Sequence, residues 1–211
     1  MDLTTSANVR NLIGKDVTDK DEPLLQTLAT AASAFIEGRC GRSFGVQQYT
    51  DTFNGREVYK QKRIVLRNSP VVSVSDVVLD GTSIPQRATF GDGGWVFDTQ
   101  TDSVAFDQPF FGYWYFGVPY WGLIGLGIAN VTITYTAGFN PLSGTQTGGA
   151  LPVPSDLVFA ASELAALWYR ERNRIGIVQM HDGNLTTMYQ VLNLPLAVAE
   201  TIKRYSAPVV G

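Results

Sequence analysis

A serine framed by glycines is the first group in this sequence that could do covalent chemistry. Gly41-Arg42-Ser43-Phe44-Gly45 matches the pattern G-x-S-x-G, in which a sharp strand-to-helix turn exposes a nucleophilic hydroxyl above a helix dipole. Such a serine needs a base, and the chain contains one histidine, His181. The order serine, acid, histidine is permitted. The context is reversed, however, because a helical pattern precedes the motif and strand-like sequence follows it. A glycine-rich exit from a helix is the preferred reading, since short motifs match by chance.

The other reactive side chains form no constellation. His181-Asp182-Gly183-Asn184 has no partners at metal-ligand spacing, and Asp-Gly and Asn favour turns. With one cysteine, Cys40, and one histidine, zinc ligands are nearly absent and no internal disulfide can form. The carboxylates are scattered, so no acid–base pair stands out, and no G-x-x-x-x-G-K-[ST] phosphate loop occurs. The expectation is a protein without metal or cofactor that is not an enzyme.

Binding chemistry is better represented. In Phe110-Phe111-Gly112-Tyr113-Trp114-Tyr115-Phe116-Gly117-Val118-Pro119-Tyr120-Trp121, eight of twelve residues are aromatic, and no charged residue occurs between Asp107 and Asp156. The glycines and Pro119 make a poor membrane helix, which needs about 20 apolar residues. A glycan or nucleobase platform would use the ring faces, but the polar and basic groups that accompany such sites are missing. A loop buried between subunits or against a partner accounts best for the composition, with filling of the chain's own core as the alternative. Arg170, Arg172 and Arg174 close a helical segment, where cations complement the helix dipole. Inter-subunit ion pairing is their second reading.

The elements that position these groups follow from periodicity. Thr5-Ser6 can cap a short helix over Ala7–Ile13 that Gly14 stops. Asp21-Glu22-Pro23 opens a longer helix with a stripe of Leu24, Leu25, Leu28, Ala31, Ala32, Phe35 and Ile36, ended by Gly38 and Gly41. Short β-prone runs follow at 64–66, 71–79, 95–97 and 104–106, with an Asp80-Gly81 hairpin turn. Residues 130–136 alternate cleanly, placing Val131, Ile133 and Tyr135 on one face. A Gly/Ser/Thr-rich stretch to Leu151 reads as a mobile loop. Ser155 or Asp156 then caps the strongest helix, whose stripe is Leu157, Ala160, Ala161, Leu164, Ala165 and Trp168. Leu28, Phe35, Leu164 and Trp168 should therefore be buried together. Leu196, Ala199 and Ile202 mark a last short helix begun by Pro195. Tyr205 and the uncharged tail through Pro208, Val209 and Val210 either fray or pair with a partner's sheet edge.

The expected fold is α+β: a small helical bundle formed by both chain ends with a central β-rich insertion. Residues 1–45 and 141–211 supply the helices and tail. Residues 46–140 form the insertion, including the aromatic loop 108–128, and the whole is one domain. Hydrophobic residues make up 45% and charged residues 17% of 211, with a net charge of −3. That balance excludes a general nucleic-acid binder and suits a surface largely covered by neighbours. No signal-peptide pattern opens the sequence, so a cytosolic product is expected, and the Asn130-Val-Thr and Asn184-Leu-Thr sequons are then without consequence.

The order of these pieces resembles the head–tail connector family of siphophage-type adaptors. The resemblance is carried by residues 31–44, ending Arg39-Cys40-Gly41-Arg42-Ser43-Phe44, and by 64–81 with Pro70, its valine-rich strand and Asp80-Gly81. It continues through Val131–Phe139, Val153–Leu157 and the helix from Ala160 to Arg174. It covers nearly the whole chain and departs at about 91–127, which is longer and more aromatic than the family's β linker. The resemblance implies a virion protein that forms a ring, usually dodecameric, under the portal. Such a ring extends the DNA channel without sequence-specific DNA contacts and offers a docking surface to a stopper or tail-completion protein. It implies assembly in the host cytoplasm, no membrane association, and a C-terminal segment (Tyr205, Pro208, Val209, Val210) that reaches the portal. A stopper or tail-completion protein, a glycan-binding module and a serine hydrolase acting through Ser43 are the alternatives.

Overall fold

A computed structural model describes residues 1–14, 17–55, 58, 63–87, 94–106, 128–142, 145–172, 179–182, 185–188 and 194–206, the two segments within 179–188 by their backbone only. The chain is α+β and divides into two compact units, one from 1–44, 141–145 and 152–211, the other from 45–140 and 146–151.

In the first unit, Thr5 accepts a hydrogen bond from the Asn8 amide and starts α1 (Ser6–Ile13), which Gly14 ends at φ 87°. The 3₁₀ turn Asp19–Asp21 leads into α2 (Glu22–Cys40), with Pro23 in its first turn. Gly38 lies within α2, and Gly41, left-handed at φ 67°, ends it. α3 (Ser155–Glu171) packs on α1 and α2, and α4 (Leu196–Tyr205) packs on α2 and α3. The expected cap of α3 is displaced: Pro154 takes the cap position, and Asp156 in the first turn accepts from the Leu157 amide.

The buried line of α2 is Leu25, Ala29, Ala32, Ser33, Ile36 and Cys40. It is rotated from the stripe the periodicity suggested. Leu24 and Ala31 are exposed, while Leu28, Phe35 and Trp168 are half-buried and Leu164 is fully buried. Phe35 and Trp168 do meet, edge to face at 5.9 Å. The rotation has a cause that periodicity cannot register. The N-terminal segment lies along α2, with the Leu3 amide donating to Ser33 Oγ at 2.9 Å, and Cys40 Sγ donates to the Ile202 carbonyl of α4 at 3.7 Å. These neighbours cover the Ser33–Cys40 side. Thr4 and Ser162 share a buried hydroxyl contact that ties the same segment to α3.

The second unit is antiparallel. Strands β1 (Gln47–Phe53), β3 (Val71–Leu79), β4 (Thr82–Ser83) and β7 (Val131–Ala137) form a sheet in the order β1-β7-β3-β4, and β2 (Arg63–Val65), β5 (Trp95–Asp98) and β6 (Ser103–Phe106) form a second in the order β2-β6-β5. Asp80 (φ 48°) and Gly81 (φ 81°) make the two-residue turn between Leu79 and Thr82, the positive-φ pair such hairpins require. Val131, Ile133 and Tyr135 point inward as the alternation implies, joining Ile64, Val77, Leu79, Trp95, Val104 and Phe106 in one core. β1 was not evident in the sequence because one of its inward positions is charged: Asp51 is buried and accepts from Tyr135 Oη at 2.7 Å. Two further strands, β8 (Gln179–Asp182) and β9 (Leu185–Met188), belong to the first unit and pair antiparallel across Asp182↔Leu185. Of the turn expected at 181–184, His181 and Asp182 instead belong to β8, and Gly183 and Asn184 lie outside the described residues.

The stretch after Phe139, expected to be a mobile loop, is tied down where it is described. Asn140 donates to the Thr147 and Ala150 carbonyls at 3.1 and 2.8 Å and accepts from the Thr147 amide at 2.7 Å. One buried amide side chain thus satisfies backbone groups that a loop would otherwise expose to water.

Candidate interaction surfaces

The glycine-framed serine is a helix exit. Gly41 turns the chain, and the carboxylate of Glu37 reaches past it to accept from Ser43 Oγ at 3.2 Å and from the Phe44 amide at 2.8 Å. Its other oxygen takes the Met1 ammonium at 3.2 Å. The hydroxyl therefore helps bind the turn to the last residues of α2, at a helix C-terminus, whereas the nucleophile elbow places its serine at a helix N-terminus. His181 lies on β8 opposite Thr186, and its side chain is outside the described ones. Cys40 is buried, and desolvation pushes its thiol pKa up, away from the thiolate a nucleophile or metal ligand needs. Among the described residues no group of three or more His, Cys, Asp or Glu could hold a metal ion.

The arginines end α3 as the dipole favours. Arg170 donates to the Leu12 carbonyl at 3.2 Å, joining α3 to the end of α1. Arg172 donates to the Tyr169 carbonyl at 2.7 Å, and its guanidinium lies 3.7 Å from the centre of the Tyr169 ring. Arg174 lies outside the described residues.

Tyr205 anchors α4. Its hydroxyl donates to Asp156 Oδ1 at 3.0 Å, its ring meets Phe44 edge-on at 6.0 Å, and Arg204 pairs with Asp156 at 3.0 Å. Burial raises the Tyr205 pKa, and the hydrogen bond to Asp156 raises it further. Pro208, Val209 and Val210 lie outside the described residues. So do Phe110, Phe111, Tyr113, Trp114, Tyr115, Phe116, Tyr120 and Trp121. The described chain enters that segment from buried Phe106 and leaves it at Ile128, which is 89% exposed.

Sequence reasoning missed one surface. A groove of about 380 Å³ opens between α1 and α3, lined by Leu12, Val153, Val158 and Phe159 with Asn8 and Asn11 beside them. Leu12 is 38% exposed and Phe159 50% exposed. A signal for it was present: Phe159 is an aromatic residue off the Leu157–Ala160–Ala161–Leu164 stripe, on a face an amphipathic helix usually leaves polar.

Among the described helices none is long and apolar enough to cross a membrane. No protein-family model matches the chain, and no curated protein matches it. Among solved structures, it is similar to a chain from the neck of an empty gene transfer agent particle computed with C6 symmetry. The identity is 20%, with 98% of this chain and 90% of that chain covered, at a TM-score of 0.47. It is similar at 20% identity and TM-score 0.45, with the same coverage, to a chain from the virion of a native gene transfer agent particle. Likeness of this degree transfers no function.

Proposed function

We propose that this chain is a structural subunit of a phage neck, a head–tail connector that forms a ring under the portal and builds by protein–protein contact. The observation that carries this reading is chain order. Both ends fold together into one helical unit and the middle forms an antiparallel β unit, in the sequence of pieces by which the chain resembles the connectors. The chemistry of the described residues supports it. The serine, the cysteine and two of the arginines with catalytic or ligand potential are engaged in holding their own unit together. In this reading the ring extends the DNA channel, and residues 110–121 lie at a subunit or partner boundary. The tail beyond Tyr205 meets the portal, and the opposite side receives a stopper or tail-completion protein. Closed cyclic assembly needs two different complementary faces on each copy.

The test is to mix the purified chain with portal-bearing capsids that lack it and to image the portal vertex. A ring beneath the portal is expected. Capsids left bare would overturn the reading, and glycan binding or a hydrolase activity lost in Ser43→Ala would replace it with one of the alternatives.

A further inference from the structure

The groove between α1 and α3 is an apolar seat without charge. Its lining of Leu12, Val153, Val158 and Phe159 is joined by the amides of Asn8 and Asn11 and by two serines, and no Asp, Glu, Lys or Arg lines it. Two large apolar side chains on adjoining helices, Leu12 and Phe159, stand open to solvent there. Large apolar side chains exposed side by side are more informative than single exposed ones, which need no explanation. The groove's volume of about 380 Å³ is at the small end of the range of ligand pockets, about 300–1,000 Å³. That suits one or two inserted rings, not a whole secondary-structure element.

We propose that the occupant is the aromatic segment 110–121 of a second copy of this chain. The segment has eight aromatic side chains and no charge, so its cover must be apolar and must offer neutral polar partners for Trp N–H and Tyr O–H groups. The groove has that composition, with amide oxygens at Asn8 and Asn11. The segment can also cross a subunit boundary. Between Phe106 and Ile128 lie 21 residues, and any chain of that length running out and back reaches at most about 35 Å. Groove and segment are two different, complementary surfaces on one chain, as head-to-tail closure of a ring requires. The inference rests on the connector reading for the presence of neighbouring copies and assigns the contact between them.

Two differently tagged preparations test it, one carrying Asn11→Cys at the groove rim, the other Gly117→Cys within the segment. Native Cys40 is buried and does not compete. After mixing across a concentration series, a short bismaleimide should join the two tags in one product. Phe159→Arg in the Asn11→Cys chain should lower that product at least tenfold without shifting its thermal melt. Leu12→Lys serves in its place should Phe159→Arg disturb folding. Three results would overturn the contact: no cross-copy product at any concentration, a product indifferent to both groove variants, or cross-linking only within a single chain that carries both cysteines. The same variants on portal-bearing capsids separate the two proposals. A normal ring of Phe159→Arg chains removes the groove contact and leaves the connector reading standing. Wild-type chains that leave capsids bare remove the connector reading, whatever the cross-linking shows.

Discussion

The helical unit and the β unit solve the same packing problem with different residues. The buried positions of α2 and α3 are rich in alanine, Ala29, Ala32, Ala160, Ala161, Ala165 and Ala166, with the hydroxyls of Ser33 and Ser162 among them. The β unit buries branched and aromatic side chains, including Val77, Ile133, Trp95, Val104 and Tyr135. Small residues let helices approach closely, but they leave the choice of face to whatever else packs alongside. Strands in an antiparallel ladder have no such freedom, because a one-residue slip turns every side chain to the other face. The orientation of α2 thus depends on tertiary ties such as Leu3–Ser33 and Cys40–Ile202, whereas β7 is specified by its own alternation.

The largest expected effects test that contrast directly. Leu164 is fully buried, so Leu164→Ala should cost about 2–5 kcal/mol in denaturant unfolding followed by circular dichroism. Leu28→Ala, on the half-buried edge of α2, should cost clearly less. Equal losses would restore the stripe that periodicity suggested. Gly138→Ala should be comparably damaging in the β unit. Its φ is +130°, and a Cβ there would meet the Gly45 backbone carbonyl. Backbone strain and overpacking together should cost about 2–5 kcal/mol. Gly41→Ala, at φ +67° with open space around it, should cost only about 1–2 kcal/mol. A melt in which the two alanines behave alike would show that the clash with Gly45 does not matter.

A smaller effect is expected at the buried polar group of the β unit. Tyr135 Oη donates to Asp51 and accepts from the Asn68 amide and side chain at 3.2 and 3.1 Å. Tyr135→Phe leaves the buried Asp51 carboxylate without that donor, at a cost of about 1–3 kcal/mol. The pH dependence follows from the phenol. Burial first, then the Asp51 hydrogen bond, raises its pKa from 10.0 to about 12. The folded state therefore binds this proton more tightly than the unfolded chain does. The stabilisation is fully present below pH 10 and is lost as pH rises toward about 12. Wild type should lose more stability than Tyr135→Phe across that window, and parallel alkaline melting curves would contradict the assignment.

The smallest effect belongs to the helical unit. Tyr205→Phe removes the hydroxyl from Asp156 but keeps the ring against Phe44, and Arg204 still pairs with that carboxylate. A loss of about 0.5–1.5 kcal/mol is expected, with hydrogen exchange quickening in α4 before the rest of its unit. Uniform exchange across the unit would mean that Tyr205 is not what holds α4 in place.

Of the interaction surfaces, the sequence revealed composition and little geometry. The aromatic run and the arginine cluster were visible as strings of residue types. That Arg170 and Arg172 turn onto the carbonyls of Leu12 and Tyr169 was not, because those acceptors come from backbone that any residue could supply. The ties made by Glu37 and Asn140, and those of Asp156 to Tyr205 and Arg204, were not visible either. Each of these residues acts on partners brought near by folding, and their types are ordinary surface types. The groove was foreshadowed only by Phe159, an aromatic on the outer side of its helix.

Local rules alone determined most element identities and several of their limits. Thr5 and Gly14 bound α1, Asp80-Gly81 turns β3 into β4, and strict alternation sets the inward face of β7. In each case the responsible force acts within a few residues, through a cap, a positive φ or a two-residue period. Tertiary structure decided which side of α2 is buried, admitted a charged Asp51 to the inward face of β1, and held the stretch after Phe139 through Asn140. Those outcomes depend on groups distant in sequence. The free energy of burying a residue is set by the neighbours that replace its water, and a linear pattern does not contain them.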